Sequence, residues 1–436
     1  MTTSTTRSIR LLHAVGLVVA NMIGTGIFTT TGLLSEQLGS PVWILVVWLV
    51  GGLVALCGAD VYAELGALMP RAGGEYVYLS RAIHPAAGFL SGWVSLVVGF
   101  SAPIAASAIA FGTYLAAVVP RVSPTAAAVV LIAAVTALHM TSVRWGARLQ
   151  TAFTALKVGL LVLMVAAGFA VGEGSWAHVT AASGAAPPAG RLAVALLFVS
   201  FAYSGWNGAA YIAGELRDPG RTLPRALLGG TALVLSLYLA LNLVFFYAAP
   251  ASVLAGEVEV AEVAMTALFG RTAGSVLAVL VALALVSSVS AMTMAGPRVY
   301  VAMAEDGLLF RAFARRGRAG APWAAVALQG TLAVTLALTA TFEQLLVYIG
   351  FVLGFFAALT VVAAFVLRRR EPDAHRPYRA VAWPLSPIVF LALATWMTAY
   401  AVIMRPRESL AGLATLLVGL ALYLTRRRTS RAELHA

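Results

Sequence analysis

Two short segments rich in glycine and small polar residues interrupt apolar stretches of the chain. They are Asn21-Met22-Ile23-Gly24-Thr25-Gly26-Ile27-Phe28 and Phe201-Ala202-Tyr203-Ser204-Gly205-Trp206-Asn207-Gly208. A plain membrane anchor would carry Leu and Val there. Unwinding a helix in hydrocarbon exposes N–H and C=O groups that are costly unless buried in protein or bound to a ligand. N–H groups freed at the start of a second half-helix lie at its positive dipole end and suit a carboxylate. Freed carbonyls suit an ammonium or a cation. A small molecule with both groups, such as an amino acid, fits a pair of such breaks. Close helix packing through glycine is the competing reading.

The third chemical candidate is Lys157, the only lysine in the chain, set near the middle of an apolar run. Ionisable groups at that depth are expensive and are functional candidates by default. The alternative is a side chain that snorkels toward the cytoplasm. Every other basic position holds arginine. Arginine keeps its proton, whereas a lysine can exchange one, and this favours function.

The elements that position these residues follow from composition. The chain has 436 residues, 61% hydrophobic and only 11% charged, with a mean hydropathy of +0.91. Soluble domains carry about 45–50% apolar and about 25% charged residues. A soluble enzyme, a disordered chain and a nucleic-acid-binding domain are therefore excluded, and an all-α polytopic membrane protein is expected. Apolar runs lie near 13–36, 41–68, 83–119, 123–141, 147–172, 190–213, 225–249, 272–303, 321–341, 343–367, 382–404 and 408–425, which makes twelve spans. The run at 83–119 is long enough for a strongly tilted helix or for an extra turn outside the bilayer. The N-terminal apolar run has no convincing cleavage site and reads as retained.

Net charge is +12, but the basic residues sit in short segments between spans. With the N-terminus inside, inner segments hold 23 arginines, and outer ones hold Arg121, Arg191, Arg271, Arg405 and Arg407. The bias predicts cytoplasmic N- and C-termini, with inner loops favouring anionic lipid headgroups. The two glycine-rich segments fall in spans 1 and 6. Five is odd, so two consecutive five-span units have opposite orientation, an arrangement that forms midplane sites from broken helices. The expected divisions are a tail at 1–12, a first repeat at 13–172, a second at 190–367, two further spans at 382–425 and a basic tail at 426–436.

The remaining polar residues read more plainly. Asp60 and Glu64 are spaced i, i+4 near the inner end of span 2 and suggest a solvated face or pairing with Arg71 or Arg298, with a proton relay as the alternative. Glu215 suggests an ion pair with Arg217 or a gate element. A short amphipathic helix outside the membrane is expected within 259–269. The arginines at 311, 315, 316 and 318 suggest a solvated loop. The six histidines (13, 84, 139, 178, 375 and 435) have no metal-ligand spacing, so neither metal nor cofactor is expected. Cys57, the only cysteine, lies within an apolar run and offers no disulfide. An intramembrane serine hydrolase built on Ser204 and His139 lacks the glycine such a nucleophile needs before it, so an enzyme is not expected.

Five motifs in order carry a resemblance. They are Gly24–Phe28, Pro70–Leu79, Phe201–Asn207 continuing through Gly214-Glu215-Leu216, Asp218–Ala226, and Gly296–Tyr300 through Asp306-Gly307-Leu308. In these the chain resembles the amino acid–polyamine–organocation (APC) superfamily, and within it the bacterial relatives of the L-type amino acid transporters. The resemblance implies a LeuT-like fold, with two inverted five-helix repeats plus two helices, working by alternating access in the bacterial inner membrane. It implies a substrate α-carboxylate on Thr25, Gly26 and Ile27, and an α-ammonium on the carbonyls of Ile23, Phe201 and Ser204. Phe201 would close over the substrate, and Trp206 and Asn207 would shape the pocket. Ser204 stands where many L-type members have glycine, which implies a narrower pocket and smaller substrates. Lys157 would occupy the sodium position of sodium-coupled relatives, touching the backbone near Gly24 and a hydroxyl among Ser287, Ser288 and Ser290, with Ser288 preferred. The implied function is sodium-independent exchange of small or medium neutral L-amino acids. Proton-coupled symport, and cationic amino acid or polyamine permeation, are the alternatives. The loop Val119–Pro124 lacks the cysteine that links eukaryotic L-type members to a glycoprotein subunit, so no disulfide-linked partner is expected.

Overall fold

The computed structural model describes residues 9–433 except 72, 142–145, 181–184 and 318–320. Arg7, Arg144, Arg318 and His435 therefore lie outside the described residues, as do the side chains of Arg148 and the arginines of the C-terminal tail. The described chain is nearly all helix. Nine helices among the described residues are long and apolar enough to cross a membrane, by length and composition, and shorter apolar helices cover Ala155–Ala170, Ala189–Ala202, Val260–Phe269 and Trp323–Thr339. The chain is a polytopic all-α membrane protein.

The first apolar run is not one helix. It is α1 (Leu11–Met22) and α2 (Thr25–Leu38), separated at Ile23 and Gly24. Next come α3 (Pro41–Leu68) and the short α4 (Glu75–Ala82). The long run expected to tilt or overshoot is a continuous 34-residue element, α5 (Pro85–Val118), with a π-helical stretch at Ser95–Ser101. Pro103 accounts for it: its ring would strike the carbonyl four residues back in a regular helix, and widening the preceding turn relieves that clash. Ser101 Oγ then donates to the Leu96 carbonyl at 2.7 Å. The helices α6 (Pro124–Thr141) and α7 (Gly146–Ala170) complete the first half.

In the second half, α8 (Ala189–Ala202) stops well short of the apolar run that contains it, and a 3₁₀ stretch Gly208–Glu215 follows after a five-residue turn. Next are α9 (Pro219–Ala248), α10 (Val260–Phe269) and α11 (Arg271–Glu305). The chain continues through α12 (Trp323–Thr339), α13 (Phe342–Arg370), α14 (Leu385–Met404) and α15 (Pro406–Glu433). The most extensive packing is of α9 on α3 and of α11 on α5. At the centre Trp48, Tyr203 and Tyr238 form an aromatic cluster with ring centroids 5.2–5.7 Å apart. Their hydroxyls serve the backbone near the breaks: Tyr238 Oη donates to the Met22 carbonyl at 2.7 Å and Tyr203 Oη to the Trp48 carbonyl at 3.0 Å.

Asp60 and Glu64 correct the expectation of a solvated face. Both are buried, and Arg71 and Arg298 are exposed and join no described ion pair. Glu64 takes a two-bond grip from Arg368, at 2.8 and 2.5 Å, and lies 3.3 Å from Arg376 Nε. Asp60 accepts from Tyr378 Oη at 2.7 Å, Ser386 Oγ at 2.8 Å and the amides of Val381 and Ala382. The connection between α13 and α14 is thus strapped to the inner end of α3. Glu215 joins no described ion pair. Its carbonyl accepts from Ile9 N at 3.1 Å, and Arg217 N donates to the Ile9 carbonyl at 2.9 Å, so the segment before α1 pairs with the end of the 3₁₀ stretch.

Candidate functional site: two helix breaks and a buried lysine

The breaks form because neither segment can continue as a helix. Ile23 and Gly24 leave helical geometry (ψ 90° and −149°), and Gly24 offers no side chain to cap the first N–H groups of α2. At the second break Gly205 has φ +98°, a conformation that strains any residue with a Cβ. The two breaks also touch. A Cβ on Gly205 would lie 2.7 Å from the Asn21 carbonyl oxygen, and a Cβ on Gly26 would overlap the backbone of Ala202. Glycine at these positions lets the two broken spans cross closely.

Where they cross there is a cavity of about 90 Å³. Its wall includes Ile23, Gly24, Thr25 and Gly26 from the first break and Phe201 and Ser204 from the second. Lys157 from α7, Ser107 from α5 and Ser288 from α11 complete the polar lining. Asn21 at the end of α1 is exposed, whereas α2 is buried from Thr25 to Ser35.

Lys157 is 3% exposed, and its ammonium donates to Ser288 Oγ at 2.6 Å. Ser288 Oγ in turn approaches the Ala284 carbonyl at 3.4 Å. Ser287 is buried with no partner for its hydroxyl among the described residues, and Ser290 Oγ pairs with His139 Nε2 at 2.9 Å. Thr25 Oγ1 and Ser107 Oγ share a hydrogen bond of 2.5 Å. The Phe201 carbonyl accepts the Ser204 amide at 2.9 Å.

Of the residues expected at the site, Ile27, Trp206 and Asn207 are not in the cavity wall. The turn at Gly205 swings the latter two toward α3 and α4. Trp206 lies edge-on to Tyr62 with centroids 4.7 Å apart, and Asn207 Nδ2 donates to Glu75 Oε1 at 3.1 Å. Sequence reading missed Ser107 and Pro103. The run of small residues Ser101–Ala110 in an otherwise bulky span was the available signal.

A wall with a helix N-terminus, backbone carbonyls, hydroxyls and one ammonium can bind a compact zwitterion. The chain matches the amino acid permease family over residues 9–420. It is 32% identical to the large neutral amino acids transporter small subunit 2 of Mus musculus, with 96% of this chain and 80% of that one aligned. It is 30% identical to the Asc-type amino acid transporter 1 of Mus musculus, with the same coverage. Identity to the serine/threonine exchanger SteT of Bacillus subtilis (strain 168) is 29%, over 88% of this chain and 89% of that one. A family match across nearly all spans, together with crossed helix breaks around one small polar cavity, places this chain in the amino acid permease family.

Proposed function

We propose that the protein is a secondary active transporter that exchanges small or medium neutral L-amino acids, independently of sodium, by alternating access. One observation carries the reading. Both helix breaks and Lys157 line one cavity. In this reading the substrate carboxylate rests on the N-terminus of α2 at Thr25 and Gly26, where the helix dipole favours an anion. The ammonium meets carbonyls of Ile23, Phe201 and Ser204, and Phe201 closes the gate. The modest size of this space, about 90 Å³, favours a small side chain. The names of the relatives, which include a neutral amino acid transporter and a serine/threonine exchanger, agree with this choice.

Lys157 places its ammonium beside the first break, bound to Ser288, where a coupling cation would otherwise be needed. The architecture is read as inverted repeats at 13–172 and 190–367 with spans 382–425 added, twelve spans in all, and both termini inside a bacterial cytoplasmic membrane. The arginine bias supports the orientation. No disulfide-linked subunit is needed, since Cys57 is half-buried within α3. The test is uptake of labelled serine, alanine and leucine into proteoliposomes with and without internal amino acid, in sodium-free buffer. Uptake that requires sodium would overturn the role given to Lys157.

A further inference from the structure

The second break is tied to a carboxylate that the transport reading leaves without a task. Glu75 opens α4, outside the spans, and is 9% exposed. No described ion pair involves it. Its Oε1 accepts from Tyr62 Oη at 2.7 Å and from Asn207 Nδ2 at 3.1 Å. Tyr78 and Tyr211 are the other titratable groups that face it.

Two further contacts join the same segments. Gly73 N donates to the Tyr211 carbonyl at 3.2 Å, and the Tyr211 ring covers Gly74 so closely that a Cβ there would lie 2.8 Å from it. A buried carboxylate is tolerated only when hydrogen bonds satisfy it, and bonds to an ionised acceptor are about twice as strong as neutral ones. Asn207 is therefore held firmly, while three residues earlier Ser204 faces the cavity and Gly205 is pressed against Asn21.

We propose that Glu75 is a positioning residue for the substrate cavity, holding the turn Ser204–Asn207 against the α3–α4 connection so that Ser204 stays in the wall. The proposal deepens the transporter reading and rests on it only for the identity of the cavity's occupant. Its test is thiol labelling of the full-length protein in proteoliposomes with a maleimide, in a Cys57→Ser background carrying Ser204→Cys. A second reporter, Ser409→Cys, sits on α15 far from the turn and is buried at 1% exposure.

Removing the acceptor with Glu75→Ala raises labelling at position 204 about tenfold, the loss of one charge-assisted hydrogen bond, and leaves position 409 unchanged. Asn207→Asp, which sets two carboxylates face to face, does the same. Combining Asn207→Asp with Glu75→Gln lets the glutamine amide donate to the new carboxylate and returns labelling to within about twofold of the parent, the residue of an imperfect exchange of partners. Unchanged labelling in Glu75→Ala, an equal rise at position 409, or a double variant no better than Asn207→Asp alone would each overturn the proposal. If Glu75→Ala does not fold, the comparison of Asn207→Asp with the double variant decides. The labelling needs no transported solute, so its result stands apart from whether the vesicles exchange amino acids.

Discussion

Lys157 and Ser288 give a prediction in which stability and function move in opposite directions. The ammonium is buried and donates to Ser288 Oγ at 2.6 Å. Ser288→Ala removes that acceptor and leaves a buried charge short of a partner, at a cost of about 1.5–3 kcal/mol for a hydrogen bond to a charged group. Lys157→Met keeps the length of the side chain and removes the charge. Replacing buried ionic groups with apolar ones of similar volume is neutral or stabilising by about 1–4 kcal/mol. The thermal midpoint in a fixed detergent and lipid mixture should therefore fall for Ser288→Ala and hold or rise for Lys157→Met. Exchange should be lost in Lys157→Met and reduced in Ser288→Ala. The double variant should be less destabilised than Ser288→Ala alone, because the hydroxyl has no ammonium left to serve. A marked drop in midpoint for Lys157→Met, with Ser288→Ala indistinguishable from the parent, would refute the reasoning. The lysine would then be held by something other than this hydroxyl.

Three further outcomes can be checked with the same preparations. Gly26→Ala forces a Cβ into Ala202 and should cost about 1–3 kcal/mol by overpacking and abolish exchange. Gly229→Ala, with nothing within 4 Å, should gain up to about 1 kcal/mol from helix propensity, and equal midpoints for the two variants would contradict the crossed-break geometry. Glu64→Ala leaves Arg376 buried without its counter-charge and should cost about 3–5 kcal/mol; a midpoint equal to that of the parent would show that the strap does not hold α3. Burial pushes the Glu75 carboxyl above its ordinary value of 4.5. A raised folded value means that this group's contribution to stability is complete below the unfolded value and is lost as pH rises through the folded one. Glu75→Gln does not titrate, so the parent's midpoint should decline relative to that of Glu75→Gln as pH rises above the ordinary carboxylate range. A constant difference between the two across that range would count against the burial of an ionisable Glu75.

Local features of this fold were legible in the sequence, and distant pairings were not. Gly24-Thr25-Gly26 and Ser204-Gly205 mark the breaks because hydrocarbon leaves so few ways to tolerate unwound backbone. Lys157 stood out as one lysine against 28 arginines. Asp60 and Glu64 were misread because their partners lie more than 300 residues away, on Arg368 and in the segment from Arg376 to Ser386. Spacing on a helix shows which face a carboxylate takes and says nothing of which loop returns to cover it. Asn207 was assigned to the pocket by its place in the motif, yet the positive φ at Gly205 turns it toward Glu75. The π stretch in α5 was written in Pro103, although a widened turn and a tilted span look alike as an overlong apolar run.

The most direct test of the central claim is counterflow in reconstituted vesicles without sodium. Vesicles preloaded with unlabelled serine should accumulate labelled serine from outside, while empty vesicles should take up almost none, and Lys157→Met should abolish the difference. Equal uptake by empty vesicles, or uptake that appears only when sodium is added, would contradict exchange around the Lys157 ammonium.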